Sequence, residues 1–174
     1  MPLPYPLRLL LPLAFVASAA PAVAQGYTLG DSSQVTPDCI YAAAVRQQLD
    51  PVLYLAVLRQ EAGTPGKCVR NKNGTCDAGP AAINISAKAL DWLSSVFGMP
   101  ANHFHARVLH DGCFNVEVGA WMLRHKIDSA GGDVWKGVAW YNSRTPGIGT
   151  EYAKKVAAHY RTIDNLIRQA GAYR

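Results

Sequence analysis

Acidic residues are scarce in this chain: 12 Asp and Glu stand against 17 Lys and Arg among 174 residues, and charged residues make up only 17% of the total. The small positive excess is not gathered into a basic run, so nothing here tracks nucleic acid. No internal repeat or low-complexity tract is present, and the composition fits a globular domain rather than a disordered, collagen-like or coiled-coil chain. The four cysteines include no Cys-x-x-Cys pair and no closely spaced histidine couple beside them, which argues against a zinc site. No catalytic-triad signature surrounds Ser86 or Ser143.

A long uninterrupted apolar run is also missing. The N-terminus is apolar, with Arg8 as its only charge, but Pro12 and Pro21 interrupt it and Ala22-Val23-Ala24 ends it. A membrane anchor needs about 20 continuous apolar residues. A short apolar stretch behind one basic residue and before an A-x-A ending reads instead as a secretory signal peptide over 1–24, leaving no stable membrane span after cleavage. The domain would then cover 25–174, 150 residues in which the formal net charge falls from +5 to +4 with the loss of Arg8. That length supports its own core.

Export changes the reading of Cys39, Cys68, Cys76 and Cys113, which would meet an oxidising compartment. Of three possible pairings, the turn-forming Asn71-Lys72-Asn73-Gly74 favours Cys68–Cys76 and leaves Cys39 with Cys113.

The apolar spacing is helical over most of the chain. Thr36-Pro37-Asp38 opens a helix running to about Leu49, and Asp50-Pro51 opens another that Gly63 ends. Between Gly63 and Asn84 the helical period disappears in favour of a turn-rich lobe with a short hairpin. Helices resume at Ser86, with one apolar stripe of Ala89, Leu90, Leu93, Val96 and Phe97 and a second of Val116, Ala120, Leu123 and Ile127. Asp133 caps a short helix through Tyr141, and a last helix from about Glu151 presents Tyr152, Val156, Tyr160, Ile163 and Ile167. The expectation is a mostly α, single helical domain with a small turn-rich or hairpin lobe.

Glu61 is the first candidate for chemistry. It shares a helix face with Tyr54 and Leu58 near the negative end of that helix, so desolvation and the helix dipole both favour its protonated form. A glycosidase commonly needs a second carboxylate. Asp77, in the turn-rich lobe after Cys76, is one candidate, but it reads as a turn-capping residue; Asp111 and Asp133 read as turn or helix caps, and Glu117 lacks an acidic neighbour at contact spacing. His103 and His105 read as loop residues without metal-ligand spacing. Trp140, Tyr141 and Asn142 combine aromatic faces with an amide, as sugar binding requires, and equally suit a helix end packed on a core.

Leu58-Arg59-Gln60-Glu61, Asn73-Gly74-Thr75-Cys76-Asp77-Ala78-Gly79 with Ile83-Asn84, Gly112-Cys113-Phe114-Asn115-Val116, Ala139-Trp140-Tyr141-Asn142 and Tyr152-Ala153-Lys154-Lys155-Val156 occur in an order and spacing that resembles the soluble lytic transglycosylase domain. The similarity spans nearly all of 25–174 and is greatest to small exported members that accompany pilus assembly, conjugation and type III or type IV secretion. It implies a lysozyme-like α+β fold, a periplasmic location, peptidoglycan glycan strands as substrate and no cofactor. On that resemblance Glu61 is the single catalytic acid and base, and Tyr141, Asn142, Tyr152 and Ala82 lie against the substrate. Such a reaction closes a 1,6-anhydro ring on the muramic sugar. Two positions depart from the family pattern: Ala62 replaces a serine, and Gly79-Pro80-Ala81-Ala82 replaces Gly-Leu-Met-Gln. Both remove polar contacts, so a catalytically weak or silent wall-binding protein stands as an alternative, beside a hydrolytic lysozyme and a structural subunit of an export machine.

Overall fold

Proline and short polar residues set where the first helices begin. In a computed structural model, which describes residues 33–171, α1 (Pro37–Arg46) is capped by Thr36, whose Oγ1 accepts the Cys39 N–H at 3.2 Å. α2 (Pro51–Glu61) is capped by Asp50, which accepts the Val52 N–H at 2.8 Å. Each places proline in its first turn, where the missing N–H costs no hydrogen bond. The segment 1–24 read as a signal peptide lies outside the described residues.

Three short strands follow, β1 (Cys68–Arg70), β2 (Cys76–Ala78) and β3 (Ile83–Asn84), paired antiparallel in the order β1-β2-β3. Then come α3 (Ala87–Val96), α4 (Ala101–His110), α5 (Gly112–Ser129), α6 (Val134–Asn142) and α7 (Ile148–Gln169). The described fold is thus mostly α with one small antiparallel sheet, as expected. Both disulfides form the favoured pairs: Cys39–Cys113 ties the start of α1 to the start of α5, and Cys68–Cys76 closes the β1–β2 hairpin.

One core joins these elements. Tyr54 and Val57 of α2, Val116, Ala120, Leu123 and Ile127 of α5, Val138 of α6 and Val156 of α7 are buried together. α5 is the central rod, with Gly119 as a point of close approach: a Cβ there would lie 2.7 Å from the Tyr54 hydroxyl and 2.4 Å from the Ala81 Cβ. Among the described residues no helix is long and apolar enough to cross a membrane.

Several local expectations are corrected. His103 and His105 sit in α4, not in a loop, because Phe104 and Val108, four apart, are both fully buried and draw the segment into a helix despite its weak formers. The first helix stops at Arg46 rather than Leu49, and the last starts at Ile148 rather than Glu151. In α3 only Leu93 of the expected stripe is buried, while Val96 is 44% exposed. α2 ends at Glu61, with Ala62 in the left-handed conformation (φ 52°), so Gly63 does not supply the turn. Gly63 is needed for contact instead: a Cβ would fall 1.9 Å from the Gly79 carbonyl oxygen, so its bare backbone lets the end of α2 abut the turn after β2.

Candidate active site

Glu61 stands at the C-terminal end of α2, where the chain turns toward the sheet. Its Oε1 accepts a hydrogen bond from the Tyr152 hydroxyl on α7. Burial pushes the Glu61 carboxyl above its ordinary value, the negative charge of Asp77 pushes the same way, and the Tyr152 bond pulls it back down. Burial, reinforced by the Glu61 charge, also holds the Tyr152 phenol far above its ordinary value, so it stays a hydrogen-bond donor throughout the neutral range.

Asp77 is not a turn cap. It lies in β2, paired with Asn84 across the ladder, and accepts a hydrogen bond from Asn84 Nδ2 at 2.8 Å. The turn chemistry belongs to Asn73, whose side chain accepts from the Thr75 N–H and hydroxyl. Asp77 therefore projects a fixed charge toward Glu61 from a sheet rather than closing a loop.

Tyr141 and Ala82 flank the same region. The Tyr141 hydroxyl donates to the Ala81 carbonyl at 2.8 Å, and burial with the charge of Glu61 raises its phenol well above the usual value. Ala82 is half-buried in the turn joining β2 to β3, with a positive φ of 48°. Its methyl offers no hydrogen bond to a ligand. Asn142 is the last residue of α6 and is exposed. The fold thus brings Glu61, Tyr152, Tyr141, Asp77 and the 79–82 turn to one region, and no contact ties the exposed Asn142 side chain to them among the described residues.

Asn115 is the residue that sequence reasoning passed over. Fully buried in α5, it donates from Nδ2 to the carbonyls of Ala78 and Val108 and accepts the Ala81 N–H at Oδ1, all at 2.8 Å. One amide thereby fixes the turn that carries Ala82 and receives Tyr141. An asparagine set between Phe114 and Val116 on an otherwise apolar face was the available signal. Asp111 and Asp133 do cap helices, accepting from the Phe114 and Lys136 N–H groups at 3.0 Å each, and Glu117 pairs with Arg46.

Chemically, a carboxyl held above its ordinary pKa is the better proton donor, and the carboxylate left behind accepts the Tyr152 hydroxyl. Among the described residues no group of three His, Cys, Asp or Glu side chains converges to hold a metal ion. No protein-family model, curated protein or solved structure matches this chain.

Proposed function

We propose that the chain is a peptidoglycan lytic transglycosylase acting in the periplasm, where it opens the wall locally for an envelope-spanning secretion, conjugation or pilus system. The observation that carries this reading is Glu61: a largely buried carboxyl, raised by desolvation and by Asp77, held in place by Tyr152. The ordered resemblance of its surroundings to the lytic transglycosylase domain, with the lysozyme-like fold that goes with it, supplies the substrate.

In this reading Glu61 protonates the oxygen of the bond between N-acetylmuramic acid and N-acetylglucosamine, then takes the proton of the muramic 6-hydroxyl as that oxygen closes the anhydro ring. Tyr152 stabilises the intervening carboxylate. Tyr141 and Asn142 contact the sugars, and the methyls of Ala62 and Ala82 leave positioning weaker than polar side chains would. The two disulfides suit an oxidising compartment.

A second reading, hydrolysis of the same bond, is favoured by Asp77. Its charge acts on Glu61 from the sheet, and a pair of carboxyl groups is what a hydrolytic glycosidase uses. Against it, the Asp77 carboxylate is engaged by Asn84. The test is digestion of purified peptidoglycan by residues 25–174 and by Glu61→Gln, with soluble products identified by mass spectrometry. Anhydro-muropeptides from the wild type alone support the proposal. Reducing ends favour the hydrolase, and no release from folded protein favours a wall-binding role.

A further inference from the structure

A cavity of about 370 Å³ lies where the end of α6 meets the start of α7, and neither Tyr141 nor Tyr152 lines it. The helices come together closely there because Gly149 has no side chain: a Cβ would meet the Ser143 carbonyl oxygen at 2.3 Å and that of Ala139 at 2.8 Å. Trp135 and Trp140 give the cavity apolar walls, and Ser143 and Thr150 add hydroxyls.

Its charge is one-sided. Lys136 Nζ sits 5.0 Å from the centre of the Trp140 ring and the Arg144 guanidinium 4.5 Å from it, so one indole bears two cations. Among the described residues neither cation has a carboxylate within ion-pair distance. The nearby acids are committed elsewhere: Asp133 caps α6 through the Lys136 N–H, and Glu151 pairs with Lys154 at 2.7 Å. Burial lowers the Lys126 pKa, and the charge of Arg144 lowers it further, so a third cation shares this field.

We propose that this cavity binds a short peptide bearing carboxylates, namely the acidic peptide stem carried by the muramic sugar of the glycan strand. The choice of the stem rests on the function proposed above. Two like charges held over one ring are relieved by an anion, the tryptophans accommodate apolar peptide side chains, and the volume, at the small end of ligand pockets, suits a few residues. Tyr141 follows Trp140 directly on α6, and Tyr152 precedes the cavity-lining Ala153 on α7. A glycan strand beside Glu61 therefore lies one helix face away from a site for its own peptide.

The test uses residues 25–174 and the double variant Lys136→Glu, Arg144→Glu, whose exposed positions leave the core untouched. The probe is the free stem tetrapeptide, containing D-glutamate and a terminal carboxylate, followed by the indole N–H signals in NMR spectra. The expected result is saturable binding that shifts the Trp140 signal, weakened roughly tenfold or more in the double variant and by added salt. In parallel, the variant cleaves peptide-free glycan like the wild type and shows a raised KM on peptide-bearing strands. Absence of tetrapeptide binding, or binding indifferent to the charge reversal, overturns the proposal. Binding of hexaglutamate without the tetrapeptide also overturns it, in favour of an acidic segment of another protein. Because the NMR titration needs no catalysis, a protein that binds the tetrapeptide without cutting glycan refutes the transglycosylase reading while leaving the site intact.

Discussion

Tyr152 on α7 donates its phenolic hydrogen to Glu61 at the end of α2, a bond spanning 91 residues of sequence. It joins the two helices that meet beside the candidate site and opposes the burial that would otherwise raise the carboxyl pKa further. The proton affinity of Glu61 is thus set by a balance that single substitutions tip in known directions.

Replacing Tyr152 by Phe removes a hydrogen bond that favours the charged form, so the Glu61 pKa rises and the high-pH limb of the rate profile moves upward. Replacing Asp77 by Asn removes a negative charge, so that limb moves downward. Opposite displacements in kcat/KM against pH are the expected signature, whereas a purely structural loss lowers the rate without separating the two limbs.

Glu61→Gln lowers the cleavage rate by a factor of about 10² or more for the loss of an acid-base group. It also changes the pH dependence of stability. The folded pKa of Glu61 exceeds the unfolded value, so the native state binds more protons and stability declines as pH rises from the unfolded carboxyl range through the folded pKa. The Gln variant lacks that decline, which denaturant melts at several pH values will read directly.

Asn115→Ala strands the Ala81 N–H and the carbonyls of Ala78 and Val108. A cost of about 3 kcal/mol or more is expected, since each buried polar group left unmatched costs roughly 1–3 kcal/mol. Chemical denaturation measures it, and the same variant loses activity because the turn bearing Ala82 and receiving Tyr141 loosens.

The disulfides contribute unequally. Cys39–Cys113 encloses a sequence separation of 74 and Cys68–Cys76 one of 8. Chain entropy assigns about 4.5 kcal/mol to the former and about 2.5 kcal/mol to the latter. Paired Cys→Ser variants therefore differ in thermal midpoint, with loss of the Cys39–Cys113 link the more damaging.

Helices with strong local signals were legible from the sequence: Thr36-Pro37, Asp50-Pro51 and Asp133 cap as expected, and the stripe from Val116 to Ile127 is core. The cysteine pairing followed from one turn. What escaped was set by distant contacts. α4 is helical because Phe104 and Val108 pack into the core, against the local preference of its His and Asn residues. Asp77 reads locally as a turn residue and becomes a strand residue only through its Asn84 partner. Tyr152 and Glu61 each carry a pattern of their own, but nothing local says that their side chains meet. Trp140, which suits sugar binding and a packed helix end equally by sequence, walls a cavity with Lys136 and Arg144 that no local pattern announced.

The central claim concerns which oxygen replaces the leaving oxygen on the anomeric carbon of the muramic sugar, and digestion of peptidoglycan in water enriched in heavy oxygen decides it. Ring closure by the muramic 6-hydroxyl predicts soluble anhydro products with no label, and about a hundredfold less of them or lower from Glu61→Gln. Reducing-end products carrying one heavy oxygen, released by the wild type, would contradict the account and make the protein a hydrolase.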